Sequence, residues 1–112
     1  MAVTIYHNPR CSKSRETLRL LEERGAAPAV VEYLKTPPSV AELKRILGLL
    51  GVGPRDVLRR KEAAEAGLDP ALDGDALIAA MVANPAVIER PIVVAGDKAA
   101  MGRPPEKVLE IL

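Results

Sequence analysis

The first third of the chain places a strand, a helix and a second strand in order, and this pattern limits the possible folds more than any other feature. Residues 2–6 and 29–33 are short runs rich in β-branched and aromatic side chains, typical of buried strands. Between them, small and apolar residues recur with helical spacing over residues 10–24, up to Gly25. Strands joined in this way pair in parallel through a right-handed crossover. The sequence therefore predicts an α/β fold that opens with a β-α-β unit.

The rest of the chain predicts a helical block, a hairpin and a closing helix. The middle third has no strand pattern and predicts short helices at residues 40–50, 54–60, 61–66 and 75–83. Residues 91–95 and 98–101 flank a turn and predict a β-hairpin, and residues 104–112 predict a last helix with Pro104 in its first turn. The length of 112 residues fits a single domain, 1–112, with a helical insertion at about 39–84.

Composition and charge argue against several functional classes. The 16 basic and 15 acidic residues give a net charge of +1, too little to draw the protein onto nucleic acid or an anionic membrane. One cysteine and one histidine exclude an internal disulfide and a Cys/His metal cluster. No apolar run approaches the roughly 20 residues of a membrane span, and the N-terminus lacks a signal-peptide pattern. We therefore expect a cytoplasmic protein without a metal, a nucleic-acid partner or a membrane partner.

The single cysteine, Cys11, is the main candidate for chemistry. It lies at the predicted start of the first helix, among Arg10, Lys13 and Arg15, with no acidic side chain nearby in sequence. The positive end of a helix and adjacent cations favour a thiolate, and the helix N–H groups can bind an oxyanion. The alternative is a small buried cysteine among ordinary surface cations. His7 has two interpretations as well, a group that orients or deprotonates Cys11 or a purely structural histidine.

Two motifs test which chemistry Cys11 can carry. A C-x-x-C dithiol site needs a cysteine at position 14, where this chain has Ser14. A C-x5-R phosphatase loop needs an arginine at position 17, where it has Thr17. Both motifs are absent. A lone thiolate can form a covalent adduct, but it needs an external thiol to complete a two-electron reduction.

Four segments occur in an order that is also found in a known family: Tyr6-His7-Asn8-Pro9-Arg10-Cys11-Ser12-Lys13-Ser14-Arg15, Leu58-Arg59-Arg60-Lys61-Glu62, Glu89-Arg90-Pro91-Ile92-Val93-Val94 and Gly102-Arg103-Pro104-Pro105-Glu106. They resemble the motifs of the glutaredoxin-type arsenate reductases, the ArsC family, and the likeness extends from Val3 to Leu112. It implies a thioredoxin-like fold with a small mixed sheet, in the order β-α-β, inserted helical block, β-β-α.

The resemblance also implies roles for individual residues. Cys11 would be the nucleophile with His7 beside it, and three arginines would hold the oxyanion: Arg59, Arg90 and Arg103. Guanidinium groups suit tetrahedral oxyanions, although from sequence alone each of these arginines is more often a solvated surface charge than a ligand.

Three further expectations concern single positions. Because Arg60 is adjacent to Arg59, either of them can be the residue that faces the site. We also count Ser14 among the candidate substrate-binding residues. The resemblance further implies that Pro91 follows a cis peptide bond at the start of its strand, facing Cys11.

The function implied by the resemblance is reduction of arsenate to arsenite, with glutathione as co-substrate, glutaredoxin as partner and no bound cofactor. Arg10, the Ser12-Lys13-Ser14 triplet and the end at Leu112 differ from the well-characterised resistance enzymes and resemble a shorter chromosomal branch, which leaves the natural substrate open. Two alternatives remain. One is a glutathione-linked thiol exchange enzyme of unknown target. The other is an Spx-like regulator that binds RNA polymerase, although Ser14 removes the C-x-x-C switch of that type.

Overall fold

The predicted β-α-β unit is present in a computed structural model that describes residues 2–112. Strand β1 (Val3–His7) is followed by helix α1 (Ser12–Glu23) and strand β2 (Ala29–Glu32). The two strands pair in parallel, with His7 opposite Glu32, as predicted. Helix α1 begins two residues later than predicted because Cys11, at φ −92° and ψ 122°, is still extended and forms the N-cap.

The hairpin completes a small mixed sheet. Strands β3 (Ile92–Ala95) and β4 (Lys98–Met101) pair antiparallel, and β3 also pairs antiparallel with β1. The strand order is β2-β1-β3-β4, so the two central strands are β1 and β3. This arrangement confirms the predicted α/β class. It places the end of β1 between β2, which follows α1, and β3, which follows Pro91.

An aliphatic core joins the sheet to α1 and to the C-terminal segment. Its buried members are Val3, Ile5, Leu21, Val93, Ala95 and Val108. The core is aliphatic because the chain contains no Phe and no Trp. Burying each large side chain of this kind contributes about 1.5–3 kcal/mol. The C-terminal segment forms a 3₁₀ helix, Pro105–Ile111, which corrects the predicted last helix.

The chain forms two compact units. The first comprises the residues up to Thr36 together with Arg90–Leu112, and the second is Pro37–Glu89. The second unit holds helices α2 (Val40–Leu50), α3 (Arg60–Glu65) and α4 (Gly74–Ala83), along with 3₁₀ turns at Pro54–Val57 and Pro85–Val87. Ser39 and Asp73 cap α2 and α4 through their side-chain oxygens, which satisfy backbone N–H groups that have no partner inside the helix. The single domain with an insertion at 39–84 stays a prediction.

The middle third contains one extended contact that the sequence did not indicate. The predicted helix at 54–60 ends at Val57, because Leu58 forms an antiparallel bridge with Ile88. Two backbone hydrogen bonds of 2.7 Å support this bridge: the Arg59 N–H donates to the Val87 carbonyl and the Glu89 N–H to the Val57 carbonyl. Arg59 is consequently the N-cap of α3. Within residues 2–112, no helix combines the length and apolar character needed to cross a bilayer.

Candidate active site

The loop between β1 and α1 is held by the backbone and side chain of Asn8. Its carbonyl accepts a hydrogen bond from the Cys11 N–H at 3.0 Å, and its Oδ1 accepts one from the Arg10 N–H, also at 3.0 Å. An asparagine side chain that bonds the backbone two residues ahead stabilises a tight turn of this kind. Arg15 adds a hydrogen bond from Nη1 to the Pro9 carbonyl at 2.9 Å. The loop therefore fixes Cys11 at the first turn of α1.

Cys11 is buried, with 9% of its surface exposed, and it is a free thiol. The first turn of α1 contains no acidic residue, and the neighbouring side chains of Arg10 and Lys13 are exposed. Nη2 of Arg103 donates a long hydrogen bond of 4.0 Å to the Cys11 sulfur. The sulfur thus lies at the N-terminus of a helix and next to a guanidinium group.

Arg103 connects Cys11 to Arg90, which lies two residues before the β3 strand. Its Nε donates a 2.8 Å hydrogen bond to the carbonyl of Arg90. The Arg90–Pro91 peptide bond is cis, as predicted, and the Arg103–Pro104 bond, for which the sequence analysis made no prediction, is cis as well. The Arg90 side chain is half-buried, with its Nε and Nη1 atoms inaccessible to solvent. Arg103 therefore brings Cys11 and the Arg90 backbone together in the first unit.

His7 is buried at the end of β1 and is hydrogen-bonded to Ser14. Its Nδ1 lies 2.6 Å from the Ser14 hydroxyl, which also accepts a 3.0 Å hydrogen bond from the Asn8 N–H. The tautomer of the ring sets the direction of this bond: the hydroxyl donates to Nδ1 when the ring hydrogen is on Nε2 and accepts when it is on Nδ1. Burial lowers the pKa of His7; the nearby Glu32 carboxylate opposes this shift, and Arg15 adds a smaller lowering. The surroundings thus favour the neutral ring.

Within residues 2–112, the hydrogen bonds of His7 and Ser14 show which groups these two side chains contact. The bond of His7 goes to Ser14 and not to Cys11. Ser14 is fully buried, and its hydroxyl serves His7 and Asn8. Because catalytic hydrogen bonds often tighten only when substrate is bound, the proton-accepting role of His7 stays a prediction, as does the substrate-binding role of Ser14.

Arg59 and Arg60 have different surroundings in the second unit. Arg59 has a side chain only 27% exposed, and its Nε lies 3.4 Å from Glu62 Oε2 and 3.9 Å from Glu89 Oε1. Arg60 is exposed. A guanidinium held by two carboxylates keeps a defined position, whereas an exposed one samples many. The two arginines thus differ in burial and in partners, and the role of either one in the site stays a prediction.

Two residues that the sequence analysis did not select shape the site, Gly102 and Thr17. The Gly102 N–H donates a 2.9 Å hydrogen bond to the Pro91 carbonyl. A Cβ atom on Gly102 would lie 2.6 Å from both the Pro91 ring and the Thr17 hydroxyl, so only glycine fits. Thr17 is fully buried and donates a 2.7 Å hydrogen bond to the Lys13 carbonyl. The sequence feature that could have identified Gly102 as part of the site is its position directly before Arg103.

The part of the chain from residue 2 to 112 contains no group of three or more His, Cys, Asp or Glu side chains placed to hold a metal ion. The polar groups beside Cys11 are instead hydrogen-bond donors, a guanidinium and a helix N-terminus. Such a set binds an anion, and the cysteine beside it supplies a nucleophile.

Comparison with known proteins identifies the family. The model of the ArsC family matches residues 6–111, nearly the whole chain. The chain belongs to the ArsC family. It is 56% identical to Uncharacterized protein YfgD of Escherichia coli (strain K12), over 98% of this chain and 96% of that protein. It is 54% identical to the arsenate reductase of Neisseria meningitidis serogroup A, over 98% of this chain and 97% of that one.

A solved structure supports the same assignment for this ArsC protein. The structure titled arsenate reductase from Vibrio cholerae superposes with a TM-score of 0.92 and 57% sequence identity, covering 100% of this chain and 98% of the other. This similarity confirms the predicted thioredoxin-like fold.

Proposed function

We propose that this ArsC protein is an oxidoreductase that reduces arsenate to arsenite, with Cys11 as the nucleophile. The observation that carries the proposal is the position of Arg103, whose guanidinium bonds both the Arg90 carbonyl and the Cys11 sulfur. A cation in contact with the sulfur stabilises the thiolate and attracts an anionic substrate to the same point. The Neisseria meningitidis relative, named as an arsenate reductase, aligns with nearly all of this chain.

The oxyanion would bind where the donors converge on Cys11. Arsenate resembles phosphate, a tetrahedral group with a charge of about −1.5 to −2 near neutral pH, and it repels an approaching thiolate. Arg103 and the unpaired N–H groups at the start of α1 would offset that repulsion and hold the substrate oxygens. On the family motifs that contain them, we assign Arg90 to this oxyanion and a substrate-binding role to Arg59.

The reduction takes two electrons, and two thiol sulfurs supply them. The Cys11 thiolate attacks arsenic, a sulfur–arsenic bond forms, and one arsenate oxygen leaves as water after protonation. A second thiol then completes the exchange: arsenic leaves as arsenite with the electron pair, and the two sulfurs form a disulfide. Because Cys11 is the only cysteine, the second thiol must come from another molecule. We assign this role to glutathione, and the release of Cys11 from the mixed disulfide to a glutaredoxin.

The decisive experiment measures arsenite formed by the purified protein with arsenate, glutathione and glutaredoxin. We expect arsenite to form in proportion to time and enzyme, and the Cys11→Ser protein to form none, because a serine hydroxyl is barely ionised at neutral pH. Circular dichroism of Cys11→Ser checks that the fold is kept. If the native protein forms no arsenite but still catalyses glutathione–disulfide exchange that depends on Cys11, its function is thiol exchange and not arsenate reduction.

A further inference from the structure

A pocket of about 260 Å³ in the first unit lies next to the loop that carries Cys11. One wall is formed by residues 7–10, at the end of β1, and the other by Glu32, Leu34 and Lys35, at and after the end of β2. We propose that this pocket binds the external thiol as a small peptide with an ammonium group and carboxylate groups, the chemistry of glutathione. The inference rests on the proposed function and assigns its co-substrate a place.

The charges of the pocket have both signs, which suits a zwitterion and not an arsenate ion. Glu32, Lys35 and Arg10 all line the pocket, and Lys35 Nζ lies 3.6 Å from Glu32 Oε1. A dianion would be repelled by Glu32, whereas an ammonium group is attracted to it. The Glu32–Lys35 ion pair is largely exposed, so it contributes little by itself and can open to pair with the two ends of a ligand.

The apolar surface of the pocket fits the uncharged part of such a peptide. Pro9 belongs to one wall, and Leu34, a large apolar side chain that is 43% exposed, belongs to the other. A few polar groups around an apolar floor are typical of pockets for small molecules. The methylene groups between the charged ends of a γ-glutamyl peptide can cover Leu34 and Pro9.

The position of the pocket relates it to the loop that carries the nucleophile. It lies at the carboxyl ends of the parallel strands β1 and β2, the edge at which α/β sheets bind their ligands. Asn8 lines the pocket, and its carbonyl accepts the hydrogen bond of the Cys11 N–H. A peptide in this pocket therefore touches the same loop that fixes Cys11.

Direct binding tests the pocket without any turnover. S-methylglutathione, which cannot react, is titrated into the native protein, Glu32→Gln and Lys35→Gln, with dissociation constants read from amide chemical shifts. We expect each substitution to weaken binding roughly fivefold, the effect of one exposed charge pair. Lys61→Gln and Glu65→Gln, which break a comparable exposed pair in α3, should leave binding unchanged. No binding to the native protein, or equal binding to all five proteins, would overturn the inference.

Turnover with two thiols then separates recognition of the ammonium from recognition of the carboxylate. N-acetylcysteine keeps a carboxylate but has no ammonium. We expect Glu32→Gln to raise KM for glutathione but not for N-acetylcysteine, and Lys35→Gln to raise KM for both, with KM for arsenate unchanged. Equal effects of Glu32→Gln on the two thiols would contradict the proposed charge recognition. Because S-methylglutathione binding needs no arsenate, a protein that binds it but forms no arsenite would disprove the function and leave the pocket standing.

Discussion

Ser14 stands where a dithiol enzyme has its second cysteine, and its contacts show what a serine does at that position. Its hydroxyl joins the last residue of β1 to the first turn of α1, by one hydrogen bond with His7 and one with Asn8. A buried hydroxyl with two partners fixes the orientation of both. Ser14 thus holds in place the loop that the sequence analysis could identify only as a reactive segment.

Replacing Ser14 by alanine should loosen this loop. The change leaves the Asn8 N–H and the His7 Nδ1 without their partner, and an unsatisfied buried polar group costs about 1–3 kcal/mol. We expect the free energy of unfolding, measured by urea titration, to fall by that amount. Ser12→Ala is the matched control, because Ser12 is exposed in the same helical turn and should change stability little. Equal losses in the two variants would show that the His7–Ser14 bond contributes nothing.

The buried His7 predicts a dependence of stability on pH. Burial lowers the pKa of His7 in the folded chain below 6.5, the usual value, which the unfolded chain keeps. At a pH between these two pKa values, the unfolded chain therefore binds a proton that the folded chain does not. Stability from this group is therefore present above pH 6.5 and is lost as the pH falls below it. We expect the free energy of unfolding to decrease on acidification from pH 7 to about 5.5, and to decrease less in His7→Asn, which keeps an amide near the Nδ1 position. Identical pH slopes in the two proteins would contradict this.

Arg103 should contribute to catalysis through its charge and through its planar shape. Loss of a charged hydrogen-bonding partner costs about 1.5–3 kcal/mol, or roughly tenfold to a hundredfold in kcat/KM. We expect Arg103→Ala to lie in that range for arsenate. Arg103→Lys should recover little, because one ammonium cannot bond the Arg90 carbonyl and the Cys11 sulfur as the guanidinium does. Lys107→Ala, the loss of an exposed cation in the 3₁₀ helix, is the control and should remain near native.

Among the elements, the strands were the easiest to predict and the helix types the hardest. β-Branched runs identified β1, β2 and β3, because strand formation there follows from local side chains. The helix predicted at 54–60 was wrong beyond Val57, because a bridge to Ile88, far away in sequence, decides the backbone at Leu58. Single-sequence patterns do not contain such long-range pairs. Neither did they distinguish the 3₁₀ helix Pro105–Ile111 from an α-helix.

Directly after β4, close packing around Gly102 should make a protein with alanine less stable than one with glycine, the reverse of the order found in helices. Gly102→Ala should destabilise the protein by about 1–3 kcal/mol, because its Cβ would lie 2.6 Å from the Pro91 ring and the fully buried Thr17 hydroxyl. The matched control is Gly48→Ala in α2, where a Cβ meets nothing within 4 Å. Alanine favours a helix interior over glycine by about 0.5–1 kcal/mol, so Gly48→Ala should be neutral or stabilising.

Thermal unfolding of the two variants provides the comparison. Opposite shifts in midpoint temperature are expected, downward for Gly102→Ala and upward or absent for Gly48→Ala. Since Arg103 follows Gly102 directly, Gly102→Ala should also lower kcat/KM for arsenate. A Gly102→Ala protein as stable and as active as the native one would show that the contact among Gly102, Pro91 and Thr17 can relax without cost.

At the scale of the whole molecule, the site could be located from the sequence but its geometry could not. Cys11 at a helix start among cations was predictable from local sequence. Its contact with Arg103 spans 92 residues, and only the family resemblance pointed to it. The bond between His7 and Ser14 was likewise not predicted, because it depends on how the loop turns at Asn8. Local patterns identify reactive residues, and the tertiary fold decides their partners.

The number of cysteines in the molecule decides which kind of reductant can sustain turnover. Reduction of arsenate needs two thiol sulfurs, and Cys11 is the only one that the chain provides. With arsenate and a non-thiol reductant such as a phosphine, we expect no sustained arsenite formation above the level of Cys11→Ser. Addition of glutathione should start turnover, and mass spectrometry of the quenched protein should show glutathione attached to Cys11. Sustained turnover with the phosphine alone, absent in Cys11→Ser, would mean that Cys11 is regenerated without a second thiol and that the two-sulfur mechanism is wrong.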